Sequence, residues 1–459
     1  MMNIFSMFNT GKQGLFASQY EMNVVEQNLT NAGTEGYSRQ KVSKEATVPY
    51  PGIEITRVYR SVDLVLERRI NQTIQEYNYY DKLESSLSQI ESVLNELNEG
   101  GITQRLDEFW NAWQELANEA ATPSSDTTAP SPVRINLIQA AENLAKAIKE
   151  KYRGIFETGK TLQRDIGITL AEINKLLSDI AKYNEAISKT DRPKKEASEL
   201  KDRRQKALNE LAKLIDITYI EQPDKSVTVY GPSGSLLVAG NTYWRLARSV
   251  SPNGYVSVYW ISGKKPLRVT PTKGKLAAEL KVNNVEVPKY LAYLNTLAKA
   301  LINSVNSIHR QGFSISGTTG LNFFTGSGAG DISVNKAIAS NPNLIATSSK
   351  VYEEANNEIA LRIASLKDEK IMANNSLTLN EYVAQMVSQI GVEVKNAKDT
   401  KGIKNSILSS LKEKRSSVSE VNKDEELAKI MILEKQFQAA SKIITVADNL
   451  LQTVINMVR

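Results

Sequence analysis

The C-terminal stretch IMILEKQFQAASKIITVADNLLQTVINMVR, residues 430–459, decides the fold class of this chain. Its apolar residues are spaced by alternating threes and fours, which is the heptad pattern of a helix that packs on another helix. Residues 4–29 follow the same alternation, so each end of the chain has one apolar stripe. We predict that the two stripes are assembly seams, formed by Leu15, Met22, Val25, Leu29, Ile430, Leu433, Phe437, Ile444, Leu451, Val454 and Val458.

The composition excludes several classes of protein. A chain of 459 residues with 41% hydrophobic content can bury ordinary globular cores. Its 57 Lys and Arg are interspersed with 51 Asp and Glu, whereas a nucleic-acid-binding protein clusters its positive charge. The absence of cysteine rules out a disulfide framework and a thiolate metal site. No apolar run approaches about eighteen residues and the N-terminus lacks a basic segment followed by an apolar one, so we predict neither membrane insertion nor a cleaved signal peptide.

The spacing of apolar residues changes twice along the chain. It has the helical period of about 3.6 over residues 61–214, the strand period of about 2 over 217–269, and the helical period again over 288–415. Because this order is symmetric about its middle, we predict an elongated, mainly α fold of nested domains with an all-β insert at the tip. The predicted units are a terminal coiled-coil (inner tube) domain of residues 1–60 plus 416–459, a long-helix bundle domain of 61–215 plus 286–415, and a β-rich outer domain of 216–285.

Turn-forming residues divide these regions into individual elements. The predicted helices span residues 61–98, 104–119, 133–188, 194–214, 288–308, 356–372 and 377–415. The predicted strands span residues 217–220, 226–230, 236–238, 243–246, 255–261 and 267–269, after a short extended segment at 48–59. Trp110 and Trp113, three residues apart, are expected in the core of the bundle.

Two segments close to the chain ends carry a family resemblance. The first contains the signature residues Asn28, Asn31, Gly36, Tyr37, Arg39 and Gln40, in NLTN at 28–31 and GYSRQ at 36–40. It resembles the N-terminal signature of bacterial flagellar axial proteins, and the Ser-Arg-Gln after the tyrosine narrows the resemblance to the hook-associated protein 1 family. The second segment, VSEVNKDEE at 418–426 with the final helix, is similar to the C-terminal part of the same family.

Weaker similarities to that family are spread through the interior, at residues 109–117, 134–144, 200–211 and 306–324. The sequence departs from the family pattern at Gln27, at Glu35 and at Gln205, which stands where the family has an acid. The chain is also shorter after Gly317 than family members with an extra outer domain. Fewer outer domains are therefore expected.

The resemblance implies a structural protein of the bacterial flagellum and no enzyme, with no catalytic residue, cofactor or metal. It implies an adaptor at the hook–filament junction that assembles through its N- and C-terminal helices into a helical tube. The implied partners are other copies of itself, the flagellar hook protein, hook-associated protein 3 and a flagellar export chaperone. The implied location is the extracellular flagellum, reached by type III export without a cleaved signal peptide.

Other interpretations stay open at this point. Another axial protein, of rod or hook type, would differ in the residues after Tyr37. A secreted coiled-coil effector or adhesin would explain the two stripes but not the segments 36–40 and 418–426. An enzyme is disfavoured because the H-E-x-x-H, G-x-S-x-G and G-x-x-x-x-G-K-[ST] motifs are absent.

The same residues also have purely structural interpretations. The two stripes could close a helical hairpin within one chain. Asn28 and Asn31 could simply end a helix. His309, the only histidine, is more simply a hydrogen-bonded structural residue than a ligand or a base.

Overall fold

The structure is a computed structural model of the chain, and it describes residues 4–34, 36–46, 52–96, 100–120, 131–191, 197–263, 265–353 and 355–458. It is mainly helical, with several small sheets. The predicted fold class, a mainly α protein with a β insert, is confirmed.

The first and last helices pack against each other within the same chain. α1 spans Ile4–Thr30 and α11 spans Lys423–Val458. They run antiparallel, because Asn28 near the end of α1 contacts Glu426 near the start of α11 and Gly11 lies against Ala440 and Ile444. A Cβ at Gly11 would lie 2.8 Å from Cγ1 of Ile444. The two helices therefore approach closely at this glycine.

A β hairpin follows α1. Its strands are β1, Gln40–Ala46, and β2, Ile53–Arg60, which pair antiparallel with Gln40 opposite Arg60. The sequence predicted an extended segment over 48–59, of which residues 48–51 lie outside the described part, and it missed β1. β1 contains Lys41, Lys44 and Glu45 and no regular alternation of apolar residues, so its sequence carries little strand signal.

The body of the molecule is a bundle of long helices. In chain order the helices are α2 Leu64–Leu94, α3 Ile102–Ala120, α4 Pro132–Thr190, α5 Ser198–Leu214, α6 Gly274–Lys281, α7 Val287–His309, α8 Lys336–Ser340, α9 Glu358–Ser365 and α10 Leu379–Ser419. α4 is 59 residues long and begins with Pro132 in its first turn, where the missing N–H costs nothing. α10 begins with a capping box formed by Thr378 and Glu381.

Most helices agree with the sequence prediction, and the exceptions are α8, which the sequence missed, α9 and α6. The predicted helix 356–372 ends at Ser365, because the next backbone N–H groups bond to the third preceding carbonyl and form successive turns. Residues 274–281, which the sequence placed in the β-rich outer domain, form α6, and the π-helical segment Val282–Glu286 joins it to α7. Gly274 takes φ +78° directly against the backbone of Ile215, a position that a side chain could not occupy.

The bundle core contains an aromatic cluster. Phe109, Trp110 and Trp113 of α3 are buried, as expected for the two tryptophans, and Phe109 and Trp113 contact Phe323. His309 joins this cluster: its Nε2 accepts from the N–H of Ala346 at 3.0 Å. Its Nδ1, 2.8 Å from the carbonyl of Leu321, must therefore carry the proton. Burial lowers the pKa of His309 to about 4, so the ring is neutral and structural, as predicted.

The β insert consists of two small antiparallel sheets. The four-stranded sheet contains β3 Thr218–Glu221, β4 Val227–Tyr230, β5 Leu236–Ala239 and β6 Thr242–Tyr243, and the three-stranded sheet contains β7 Arg245–Val250, β8 Val256–Ile261 and β9 Leu267–Val269. The predicted strand 243–246 is wrong, because the chain leaves the first sheet after Tyr243 and enters the second at Arg245. The remaining short strands are β10 Phe313–Ser314, β11 Phe324–Thr325, β12 Ser333–Val334 and β13 Ala346–Ser348.

Candidate functional site: the joint between the terminal helices and the bundle

Asn28, the first signature residue, is the centre of a buried hydrogen-bond network. Its Oδ1 accepts from the backbone N–H of Gln40 at 2.9 Å, and its Nδ2 donates to the carbonyl of the same residue at 3.0 Å. The hydroxyl of Tyr37 also donates to Oδ1, at 2.9 Å. Burial raises the pKa of Tyr37 to about 12, so this donor keeps its proton. The Asn28 amide thus fixes the first residue of β1 to the last turn of α1.

The turn between α1 and β1 depends on two glycines. Gly33 and Gly36 have φ of +95° and +86°, in the region that favours glycine. The backbone N–H and the side chain of Asn31 both donate to the carbonyl of Gln27 at the end of α1, at 3.1 and 2.9 Å. Asn31 and Gly36 therefore shape the turn, while Asn28, Tyr37 and Gln40 hold it to α1.

Arg39 links this hairpin to the beginning of α11. Its Nε donates to Oε1 of Glu426 at 2.8 Å and its Nη1 to Oε2 of Glu425 at 2.9 Å. The side chain of Glu426 is fully buried and also accepts from Asn28. The backbone N–H of Arg39 donates to the carbonyl of Ser419, the last residue of α10, at 2.8 Å. The two family segments near the chain ends are therefore one structural unit.

Asp202 of α5 connects the same hairpin to the bundle. Its carboxylate accepts from the N–H and the hydroxyl of Ser38, at 3.2 and 2.8 Å, and from Nη1 of Arg60 at 2.8 Å. Burial raises the pKa of Asp202, and the Arg60 charge and the three hydrogen bonds oppose that rise. Together, Asn28, Ser38, Arg39, Arg60, Asp202 and Glu426 form what we call the joint. It connects the terminal helices to the bundle through polar and charged contacts.

The amide arrangement of Asn28 recurs elsewhere in the molecule. In each case one asparagine side chain on a helical segment bonds to both the N–H and the C=O of a single residue, as a neighbouring strand would. The pairs are Asn28 with Gln40, Asn174 with Leu246, Asn184 with Val227, Asn284 with Val256, and Asn306 with Phe324. The protein thus uses one device repeatedly to attach extended chain to its helices.

The predicted seam residues lie between α1 and α11 of the same chain. Val25 and Leu433 are buried there, and the partly buried seam residues are Leu15, Met22, Leu29, Ile430, Phe437, Ile444 and Leu451. Val454 is 47% exposed, because the antiparallel register carries it past the first described turn of α1. The side chain of Val458 lies outside the described part. The seam that the structure shows is therefore intramolecular, and its predicted role between subunits stays untested.

Each terminal helix also carries a second apolar face that the sequence analysis did not separate from the seam. On α1, Phe5 and Phe16 are 69% and 56% exposed, and on α11 Met431 and Ile432 are 63% and 58% exposed. Together with Ala428 and Ala439, Met431 and Ile432 line a shallow apolar groove on α11. Such faces are unusual on a protein that works alone.

Within the described residues, no group of His, Asp and Glu is arranged to hold a metal ion. No described helix has the length and apolar character needed to cross a membrane.

Comparison with known proteins identifies the family. Residues 87–324, about half of the chain, match the model of the flagellar hook-associated protein FlgK helical domain. The chain belongs to the flagellar hook-associated protein 1 family. Residues 413–457 also match the model of the C-terminal segment of flagellar basal body rod proteins FlgEFG. Membership of this family makes the chain a structural component of the bacterial flagellum and its hook–filament junction, which confirms the function expected from the sequence.

Individual family members agree with this assignment over long stretches. The flagellar hook-associated protein 1 of Bacillus subtilis is 24% identical, covering 99% of this chain and 99% of its own length. That of Escherichia coli is 23% identical over 78% of this chain and 69% of its own length. The structure of the flagellar hook junction protein FlgK from Burkholderia pseudomallei covers 77% of this chain with a TM-score of 0.68 at 14% identity, so the two share a fold.

The sequence indicated every joint residue except Arg60 as part of a family segment, but not their contacts. Asn28 and Arg39 are signature residues, whereas Ser38, Asp202 and Glu426 lie within segments that resemble the family, and the sequence did not relate them to one another. Arg39 and Glu426 are 387 positions apart, so no local pattern could pair them. The one available signal was complementary charge in two segments that both belong to the family signature.

Proposed function

We propose that this chain builds the hook–filament junction by packing side by side with copies of itself through the outer faces of α1 and α11. The observation that carries this proposal is the second apolar face on each terminal helix. The seam already uses one face of each helix for packing within the chain. A helix with two apolar faces can pack through one face on a helix of its own chain and through the other face on a neighbouring subunit. Removing Phe16, Met431 or Ile432 from water would favour such contacts.

The predicted domains then have distinct places in the assembly. Residues 1–60 plus 416–459 would form the inner tube, 61–215 plus 286–415 an outer layer, and 216–285 the outermost part. The joint would set the angle between the inner and outer layers, because it is the polar link between α1, α11 and α5. The predicted seam residues would stabilise each helix pair from within and present the outer faces for assembly.

The partners that we propose follow from the family. They are further copies of this chain, the flagellar hook protein on one side, hook-associated protein 3 on the other, and an export chaperone before assembly. The chain would reach the extracellular flagellum by type III export without a cleaved signal peptide. Its role would be mechanical, with no catalysis and no cofactor.

A matched pair of substitutions on α11 tests the proposal. Ile432→Glu places a charge on the outer face, whereas Ser441→Glu places one nine residues further on, about two and a half turns away and hence on the opposite side of the helix. Both residues are exposed, so both variants should fold. Cells carrying Ile432→Glu should complete their hooks and shed filament subunits into the medium, while Ser441→Glu cells should keep their filaments. Normal filaments with Ile432→Glu would contradict the proposal.

A further inference from the structure

A small cavity lies beside the joint, between the start of α2, α5 and the first sheet of the insert. Its volume is about 30 Å³, and its lining includes Arg60, Arg68, Lys201, Arg204, Tyr219 and Glu221. One water-sized occupant takes about 10 to 15 Å³, so the cavity has room for two or three occupants of that size. It is too small for an organic ligand.

The charges around this cavity do not balance within the described residues. Lys201 pairs with Asp191 at 3.1 Å, and Arg60 pairs with Asp202 at 2.8 Å. Arg204 is buried, and its Nη1 donates only to neutral acceptors, the side chain of Asn184 at 3.0 Å and the carbonyl of Lys225 at 2.6 Å.

Among the described residues, Arg204 has no carboxylate in direct contact, although Glu221 of the same lining acts on it at longer range. In the described part of the chain, neither Arg204 nor the exposed Arg68 has a carboxylate within 4 Å. Glu221 is the acidic residue of the cavity lining, and it lies 3.9 Å from the ammonium group of Lys225. A buried guanidinium without a carboxylate is costly.

Within the described part, two hydrogen-bond donors beside the cavity lack an acceptor, while the nearby buried acceptors Oδ1 of Asn71 and Oε2 of Glu67 lack a donor. The hydroxyl of Tyr219 accepts from the amide of Gln205 at 3.2 Å and from that of Asn71 at 3.4 Å. Its own proton has no acceptor among the described residues. The Nε–H of Arg60 is buried without an acceptor as well. The unpaired donors of Arg60 and Tyr219 and the buried guanidinium of Arg204, which has no carboxylate within 4 Å among the residues that the structure describes, border the same cavity and favour an anion there.

We propose that this cavity binds a small inorganic anion of about the size of chloride. Arg204, Arg68 and the Tyr219 hydroxyl would surround it. Because Arg60 both lines the cavity and holds Asp202, the bound anion would also fix the carboxylate that anchors Ser38 of the joint. The proposal is independent of how the chain assembles.

Thermal unfolding of the full chain tests anion binding. The midpoint should rise by roughly 1 to 3 °C for each tenfold increase in sodium chloride above the dissociation constant, and it should stay constant in sodium gluconate of the same ionic strength. Gln205→Glu supplies a tethered carboxylate, so this variant should be insensitive to chloride. Lys175→Gln makes the same change in net charge at an exposed position of α4 and should respond like the parent chain.

Crystals soaked in sodium bromide provide a second measurement, which does not depend on the variant folding. An anomalous peak between Arg204 and Tyr219 is expected in the parent protein. No peak at this position, or equal responses to chloride and gluconate, would overturn the proposal. Peaks scattered only over exposed lysines would indicate adventitious ions only and would overturn it equally.

Discussion

The joint and the β insert attach extended chain to helices with the same asparagine device, yet they differ in what surrounds it. At the insert, Val229, Leu237 and Val258 are fully or almost fully buried in one continuous core with Ile166 and Ile173 of α4. At the joint, Val58 is the only fully buried apolar side chain among the described residues of the hairpin. At the joint, charged contacts provide the rest of the attachment. The insert should therefore unfold together with the bundle, whereas the terminal pair should detach separately.

The substitution Arg39→Ala should give the largest effect at the joint. It leaves the fully buried carboxylate of Glu426 without its cation, which typically costs about 3 to 5 kcal/mol. Hydrogen exchange should show α1 and α11 losing protection while the bundle keeps its own. Glu425→Ala removes the exposed partner of Arg39 and should cost less than about 1 kcal/mol. Equal losses of stability in Arg39→Ala and Glu425→Ala would contradict the proposed role of the buried Arg39–Glu426 pair.

At the insert, Leu237→Ala should cost about 2 to 5 kcal/mol because it opens a cavity in the shared core. Calorimetry should show one transition, containing both bundle and insert, moving to lower temperature. A separate transition of the insert at a lower temperature would show that the insert, like the terminal helices, unfolds independently of the bundle.

Replacing the asparagine by aspartate at Asn28 and at Asn184 compares the two regions directly. Each substitution removes the donor to a backbone carbonyl and should cost about 1 to 3 kcal/mol. At position 28 the new charge would lie beside Glu426, whereas at position 184 it would lie 3.0 Å from Nη1 of Arg204. The loss measured by denaturant unfolding should therefore be larger for Asn28→Asp. The reverse order would contradict the assigned contacts.

A further expected effect is a dependence of stability on pH within the bundle. Glu279 of α6 is buried, accepts from the hydroxyl of Thr169 at 3.3 Å and lies 3.7 Å from the ammonium group of Lys82. Burial raises its pKa to about 7, and the lysines only partly oppose this. Since the folded carboxyl holds its proton more tightly than the unfolded one, its contribution to stability falls as pH rises from about 4.5 to about 7.

Glu279→Gln isolates this contribution. His309, whose pKa is lowered to about 4, has the opposite dependence, because its contribution is lost as pH falls towards 4. Both the parent and Glu279→Gln contain His309, so the histidine contribution cancels in the difference between their unfolding free energies. That difference should change between pH 4.5 and 7 and be constant below that window. A constant difference throughout would show that folding does not shift the pKa of Glu279.

The sequence predicted the elements that depend on local pattern. The seam of α11, the long helix α4 and the strand Leu267–Val269 all follow from apolar spacing and from turn residues. The sequence missed α6, because KLAAELK is a short helical stretch directly after a series of strands. It did not separate the outer face of α11 from the seam, because Met431 and Ile432 lie next to Ile430 and Leu433 in sequence and only the packing of α1 distinguishes them.

The joint marks the limit of sequence reasoning in physical terms. Arg39, Asp202 and Glu426 belong to three distant segments, and their partnership exists only once α1, α5 and α11 meet. Their residue types were visible within segments that resemble the family. Which charge neutralises which depends on tertiary structure.

The central claim is that α1 and α11 pair within one chain and assemble through their outer faces. The chain has no cysteine, so a single introduced cysteine is the only thiol that a maleimide can label. Maleimide labelling should modify Ile432→Cys rapidly in the monomer and at least about tenfold more slowly in assembled junctions, whereas Leu433→Cys should be protected in both states, as expected for an exposed and a buried neighbour. Leu433→Cys that reacts in the monomer and is protected only on assembly, with Ile432→Cys reactive throughout, would contradict the claim.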